Sequence, residues 1–246
     1  MSRQGAAYET ENDGTALSET VSSDNENEQA DGEETEDIVT NAASSGTCGD
    51  NLTWTLDDEG TLTITGTGAM ADYFSSSSVP WYWNNSKIKS VEIESGVTSV
   101  GNSAFSGCNI ESVTIPYTVK RIGDGAFSSC PNITRINIPY SVTEIGRHAF
   151  SYCSGLTSIN IPGNVKTLSD YTFYQCTALT SVNISDSTET IGSDAFARCE
   201  SLKSFIVPDT VKKIGSYAFS ECTALESIYI GKSVESMGYL YPRYCD

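Results

Sequence analysis

The chain has 246 residues, 38% of them hydrophobic, and a formal net charge of −18 at pH 7. This negative charge disfavours binding to nucleic acid or to an anionic membrane surface, because their phosphates would repel it. No apolar run approaches the roughly 18 residues of a membrane span, so membrane insertion is not predicted.

The first segment of the chain, residues 1–46, carries much of the negative charge. It holds 12 acidic residues against one basic residue, Arg3, and its only aromatic residue is Tyr8. Such a composition buries too little apolar surface to offset the entropy of ordering, which predicts a disordered acidic tail or linker. The tail is either a solvated spacer or a segment that docks onto a basic partner. Its first residues lack the apolar stretch of a secretory signal, so either a signal was removed or the chain is a fragment.

Residues 47–87 carry the pattern of a β-hairpin. Apolar and polar residues alternate over 52–56 and again over 61–64, on either side of a turn sequence that ends at Gly60. We assign 47–87 as an N-terminal cap for the repeats that follow, with Trp81 as the residue that covers the first repeat. Trp83 is a second capping candidate, and the alternative is an exposed tryptophan that stacks on sugars.

A repeat of about 23 residues fills 88–246 and predicts seven tandem units, the last one degenerate or truncated. Six phenylalanines keep the same phase, each three residues before a cysteine. The cysteines are Cys108, Cys130, Cys153, Cys176, Cys199, Cys222 and Cys245. Each unit opens with an alternating segment such as 113–116, which predicts a short strand. A second extended piece follows and ends in most units at a glycine, which supplies either positive φ or close backbone approach. The Ala-Phe-x-x-Cys segment predicts a single helical or 3-10 turn.

One unit of this size cannot bury enough apolar surface to fold alone, so the units must stack. The predicted fold is a right-handed solenoid with a parallel β-sheet on one side and the short turns on the other. Stacked in-register cysteines hold their Cβ atoms too far apart for disulfides, and a line of cysteines lacks the tetrahedral geometry of zinc. We therefore predict buried free thiols, with Cys48 outside the column, and neither metal nor other cofactor.

The residues from Ile88 to Cys245 resemble the BspA-type leucine-rich repeats of bacterial and protozoan surface proteins. The shared pattern is L-x-x-I-x-I-P-x-x-V-x-x-I-G-x-x-A-F-x-x-C, and residues 46–70 and 80–81 are similar to the segment that precedes such repeats. The resemblance implies a secreted or cell-surface location and adhesion or binding of a host ligand. It does not identify that ligand.

The outward face of the strands is the expected binding surface, because every unit presents the same positions there. Arg135, Ile206 and Tyr229 interrupt rows of small polar residues, and arginine and tyrosine are typical binding anchors. Asn137, Asn160 and Asn183 form either a structural amide ladder or part of the site. Tyr117 and Tyr140 follow strand-ending prolines on adjacent units and predict an aromatic strip at the sheet edge. These eight residues are the candidate site.

Catalysis is not predicted. The single histidine, His148, precedes Cys153 by five residues, but the repeat places the cysteine in the core and the histidine on the outer side. The sequence predicts a non-catalytic, monomeric binding or adhesion module for a protein or glycan, extracellular-matrix components included. The alternative is a structural spacer of a larger secreted protein that also carries a catalytic or anchoring domain.

Overall fold

Residues 44–239, the part of the chain that the computed structural model describes, coil into a solenoid with parallel strands. This confirms the predicted fold class. The described residues contain six complete coils and the start of a seventh. Coils 1 to 7 begin at Ser90, Ser112, Arg135, Ser158, Ser181, Ser204 and Ser227. Residues 1–43 of the predicted tail and residues 240–246 of the last repeat lie outside the described residues.

The cap begins with the strands Ser44–Gly49, Leu52–Leu56 and Thr61–Gly66, which pair antiparallel in chain order. The predicted hairpin is formed by the last two, and the first begins inside the segment that the sequence assigns to the tail. Thr61–Gly66 then pairs parallel with Ser90–Ile93 of coil 1. The antiparallel cap therefore continues into the parallel solenoid without an exposed strand edge at this junction.

The first strand of each coil forms the sheet that the sequence predicts. These strands are Ser90–Ile93, Ser112–Thr114, Ser158–Ile161, Ser181–Ile184, Ser204–Ile206 and Ser227–Tyr229. Coil 3 contributes a single bridge there, between Arg135 and Ser158, and no ladder pairs Ser181–Ile184 with Ser204–Ile206. Within residues 44–239 the hydrogen-bonded pairing of this side is therefore interrupted at coil 3 and again between coils 5 and 6. Buried and outward residues alternate along these strands, because successive side chains of a strand point to opposite faces.

A second parallel sheet, with eight strands, runs along the next side of the coils. It starts at Gly68–Ala69 of the cap and takes one short strand from each coil. These are Val97–Val100, Arg121–Ile122, Glu144–Ile145, Thr167–Leu168, Thr190–Ile191, Lys213–Ile214 and Ser236–Met237. The extended pieces predicted between strand and turn are therefore a continuous ladder of the fold.

The turn side differs from the single helical or 3-10 turn that the Ala-Phe-x-x-Cys segments predict. Within residues 44–239 the 3-10 helices are Ser76–Ser78 and Tyr82–Asn84, both in the cap. Each Ala-Phe-x-x-Cys segment instead forms overlapping β-turns, with positive φ at two residues per coil, for example 55° at His148 and 60° at Tyr152. Alternate N–H groups donate to the next coil, as Phe105 does to the Ala126 carbonyl at 2.8 Å. A helix would keep these bonds within the coil, so stacking has overridden the local apolar spacing.

The glycine that follows the second strand in most coils serves close backbone approach, the second of the two predicted roles. A Cβ built on Gly146 would lie 2.6 Å from the backbone nitrogen of Asp124 in the preceding coil. Neither Gly146 nor its equivalent Gly123 has a positive φ. The coils therefore pack too closely at Gly146 for a side chain, whereas coil 4 carries Ser169 at the equivalent position, where its hydroxyl donates to the Ile145 carbonyl at 2.7 Å.

The core is a column of rings that extends from the cap through the coils. Trp81 is fully buried, stacks on Phe105 with ring centroids 5.4 Å apart, and donates its indole N–H to the Ala104 carbonyl at 3.0 Å. Successive phenylalanines then stack at centroid distances from 5.3 to 5.6 Å. The column consists of Phe105, Phe127, Phe150, Phe173, Phe196 and Phe219. Trp81 thus caps the solenoid as predicted.

The cysteines form a column beside the rings, to which each of coils 1 to 6 contributes one thiol. From coil 2 to coil 6, each thiol donates to the phenylalanine carbonyl of the preceding coil, at distances from 3.0 Å for Cys130 and Phe105 to 3.4 Å for Cys199 and Phe173. All seven cysteines within the described residues are buried and none forms a disulfide. Burial raises the pKa of the Cys153 thiol to about 12. These cysteines are therefore structural hydrogen-bond donors with little thiolate character.

Candidate functional site

The strand face consists of the outward residues of the first strands, and their rows are in register. Ser158 pairs with Ser181 and Asn160 with Asn183, while Ile206 pairs with Tyr229. The bridge to Ser158 places Arg135 in the serine row. The sequence-predicted rows are therefore paired in space within coils 4 and 5 and within coils 6 and 7.

The polar part of the strand face covers coils 3 to 5. Asn137, Asn160 and Asn183 are exposed in one row, and Arg135 is exposed in the row beside it. Within residues 44–239, no hydrogen bond joins the three asparagine amides to one another. Their N–H₂ groups and carbonyls consequently face solvent, where they can bond to a ligand.

The apolar part of the strand face lies at coils 6 and 7. The Ile206 side chain is 69% exposed and the neighbouring Tyr229 side chain is 55% exposed. The Tyr229 hydroxyl donates to the Asp209 carboxylate at 3.3 Å, and Lys232 contacts the same carboxylate at 3.1 Å. A β-branched chain and an anchored aromatic ring therefore stand side by side in solvent.

Tyr117 and Tyr140 lie after the strand-ending prolines of coils 2 and 3, where the sequence predicts an aromatic strip. Both rings are exposed. In the described part of the chain they make no ring contact with each other. They offer two separate aromatic contacts at the edge of the strand face.

The structure also has an aromatic cluster on the turn side, made of His148, Tyr152, Tyr171 and Tyr174, which the sequence reasoning missed. The His148 ring stacks on Tyr171 at 4.6 Å, and Tyr174 meets both other tyrosines edge to face. Arg198 lies 6.0 Å from the Tyr174 ring centre. The sequence does contain a signal for this cluster. In three coils an aromatic residue lies two positions after the glycine or serine that follows the second strand, and these residues are His148, Tyr171 and Tyr217.

The arrangement of His148 and Cys153 does not suit a nucleophile and its base. Cys153 is fully buried and donates to the Phe127 carbonyl at 3.1 Å, whereas His148 stacks on a surface tyrosine. Partial burial, and then the charge of Arg147, lower the pKa of His148 below its ordinary value. An inert core thiol and a largely neutral surface imidazole follow from these surroundings.

Many of the acidic residues support the stacking of the coils. The Asp124 carboxylate accepts the Arg147 N–H at 2.7 Å, and the Asp170 carboxylate accepts the Ser193 N–H at 2.8 Å, each from the next coil. Among the described residues, no group of three or more His, Cys, Asp or Glu side chains is arranged to hold a metal. The same part of the chain contains no helix long and apolar enough to cross a membrane.

The comparison with family models matches the BspA type leucine-rich repeat region in six copies. The matched residues are 81–202 and 166–245, which together cover more than half of the chain. Comparison with curated proteins gives no significant match.

Solved structures with the same fold include two of known bacterial origin at similar identity. A leucine-rich cell surface protein from Faecalibacterium prausnitzii is 30% identical, with a TM-score of 0.60, over 75% of this chain and 54% of its own. A leucine-rich repeat protein from Bacteroides ovatus is 29% identical, with a TM-score of 0.62, over 77% of this chain and 54% of its own. The leucine-rich repeat protein of T. pallidum, at 23% identity and a TM-score of 0.55, shares the fold. The chain thus spans about half the length of the first two proteins.

Proposed function

Because the chain belongs to the BspA-type leucine-rich repeat family, we propose that it is a non-catalytic binding module that recognises a protein through its strand face. We also propose a cell-surface or secreted location, in line with the F. prausnitzii relative, which is a cell surface protein. The observation that carries the proposal is the exposed pair Ile206 and Tyr229 on neighbouring coils.

The strand face has the composition of a protein-binding surface. Tyrosine and arginine are the residues most enriched among those that dominate binding energy, and large exposed apolar side chains mark interaction sites. The row of Asn137, Asn160 and Asn183 leads from the coil of Arg135 toward the apolar pair and provides polar contacts. Protein interfaces combine such an apolar patch with polar residues beside it.

The dimensions of the surface suit a protein ligand. Arg135 in coil 3 and Tyr229 in coil 7 are four coils apart, which is about 19 Å at a strand spacing of about 4.8 Å. A standard interface buries about 800 Å² on each partner, which covers both ends of this span.

The proposal is tested by surface plasmon resonance on the full chain with immobilised fibronectin, laminin and collagen as probes. We expect one of these matrix proteins to bind, and the Ile206→Ser/Tyr229→Ala double variant to weaken that binding by about 2 kcal/mol or more. Tyr217→Ala removes an exposed tyrosine from the turn side of coil 6, outside the strand face, and serves as the matched control. Binding that the double variant leaves unchanged contradicts the assignment of the site.

Absence of binding by the wild-type chain to all three proteins favours a spacer. In a spacer the coils would set a distance between other domains, and the strand face would have no ligand. Far-ultraviolet circular dichroism of each variant checks that the coils remain folded.

A further inference from the structure

The cap presents three tryptophans, and one of them has no structural role. Trp54 and Trp81 are buried and meet edge to face at 5.8 Å. Trp83 is 89% exposed, and its one ring contact within residues 44–239 is with Tyr82, at a centroid distance of 5.0 Å and an interplanar angle of 65°. A large apolar ring held in solvent costs free energy unless a ligand covers it. The ring of Trp83 is thus available as a binding platform.

A groove of about 420 Å³ lies beside Trp83, between the cap and the turn side of coil 1. Tyr82 and Trp83 form its aromatic wall. The remaining lining comes from hydroxyl and amide side chains and one glycine, which are Ser76, Asn85, Ser86, Ser106, Gly107 and Asn109. The lining residues carry no formal charge. The volume is in the range of ligand pockets of proteins.

The groove is open because of one residue, Gly107. A Cβ built there would meet no atom within 4 Å, and its φ is 74°. The equivalent position in later coils carries a side chain at a similar φ, such as Tyr152 at 60° or Gln175 at 60°. The backbone conformation therefore tolerates side chains, and among the complete coils of the described chain only coil 1 leaves this position bare.

One amide of the lining is oriented by the core. The Asn85 side-chain oxygen accepts the S–H of Cys108 at 3.6 Å. This leaves the N–H₂ group of Asn85 to donate toward the groove. The Ser86 and Ser106 hydroxyls can both donate and accept, so the groove offers donors and acceptors beside a flat apolar ring.

We propose that this cap groove is a binding site for a neutral oligosaccharide, separate from the strand face. A sugar ring presents an apolar C–H face that packs on an aromatic ring, and hydroxyls at its rim that pair with serine and asparagine side chains. The lining provides no cationic partner for carboxylates or sulfates, and the net charge of −18 repels polyanions. The proposal does not depend on the strand-face function.

The test uses ¹⁵N–¹H NMR of the full chain, in which the three tryptophans give three indole signals. Trp83→Ala identifies the Trp83 signal by its loss. The probes are three neutral trisaccharides, maltotriose, cellotriose and tri-N-acetylchitotriose, with a heparin tetrasaccharide as the anionic comparison. We expect at least one neutral probe to shift the Trp83 signal saturably while the signals of the buried Trp54 and Trp81 stay in place.

Two variants and one control test the groove itself. Gly107→Gln introduces the residue that coil 4 has at this position, so it fills the groove in a conformation that the fold already accepts. Both Gly107→Gln, followed by its Trp83 signal, and Trp83→Ala, followed by the backbone amide signals of the groove residues, should weaken binding at least about tenfold, or about 1.4 kcal/mol. Phe74→Ala removes a residue that is fully exposed and does not line the groove, and it should leave the affinity unchanged.

Three results would overturn the proposal. They are the absence of any Trp83 shift with all three neutral probes at their highest soluble concentration, preferential binding of the heparin fragment, or full affinity in Gly107→Gln. None of these results bears on the matrix-protein test of the strand face, which uses other residues and another ligand class. The two proposals can therefore fail independently.

Discussion

Replacing Trp81 with alanine should remove a large part of the stability of the N-terminal coils. The indole is fully buried, stacks on Phe105, and meets Trp54 and Tyr73 edge to face at 5.8 and 6.0 Å. Truncation of a buried aromatic costs about 3 to 5 kcal/mol, and loss of the bond to the Ala104 carbonyl adds about 1 kcal/mol. We expect the free energy of unfolding to fall by about 4 to 6 kcal/mol, within a usual total of about 5 to 15.

The loss should also be localised, because stability in a repeat array depends on nearest neighbours. Urea denaturation followed by circular dichroism measures the total. Hydrogen exchange read by mass spectrometry should show faster exchange in coil 1, including the amide of Phe105, and little change in coil 5. Trp83→Ala is the matched control, since this exposed indole should contribute less than about 0.5 kcal/mol. A loss below about 1 kcal/mol for Trp81→Ala would refute the assigned capping role.

Three further predictions concern the coils. Thiol titration in denaturant should find the eight cysteines of the chain as free thiols, and fewer than eight would reveal disulfides. The native protein should react slowly, because burial raises the pKa of the thiols, to about 12 at Cys153. Gly146→Ala should cost about 2 kcal/mol or more in urea denaturation, because its Cβ would lie 2.6 Å from the Asp124 nitrogen; Gly163→Ala, next to a serine hydroxyl at 3.3 Å, is the control and should stay near neutral. Ser129→Gly should raise the free energy of unfolding by about 0.5 to 1 kcal/mol, because Ser129 has a φ of 58°, which favours glycine. The midpoint of thermal unfolding should therefore rise, and a lower midpoint would contradict this.

The phase of the repeat was sufficient to predict which residues share a row. Positions one repeat apart, such as Asn160 and Asn183, are paired in the structure because each coil stacks on the last with little offset. The cap hairpin and the position of Trp81 followed from alternation and from the need to cover an apolar edge. These features depend on periodicity and burial, which a sequence expresses directly.

The turn conformation could not be predicted from the same spacing. Alanine, phenylalanine and cysteine at i, i+1 and i+4 fit one face of a helical turn, yet the backbone bonds of this segment go to neighbouring coils. The positive φ values at His148 and Tyr152 carry no sequence signal, because the usual marker of this conformation is glycine or asparagine. The aromatic cluster of the turn side was missed for this reason.

The cap groove also could not be predicted from the sequence. The need to cover an apolar edge predicted Trp81 as the capping residue, but the sequence left Trp83 open between a second capping role and an exposed ring. The burial of the two rings differs because the 3-10 helix Tyr82–Asn84 places the Trp81 ring on Phe105 and the Trp83 ring in solvent. The eight candidate residues of the strand face were identified by their departure from the repeat, and their role stays a prediction.

The anomalous scattering of sulfur in a crystal of the full chain tests the stacking of the coils most directly. If the coils stack, we expect a line of sulfur peaks about 4.8 Å apart, one for each of Cys108, Cys130, Cys153, Cys176, Cys199 and Cys222. Sulfur peaks scattered off a line, or paired at about 2.05 Å as in disulfides, would contradict the stacked coils and the strand face built on them.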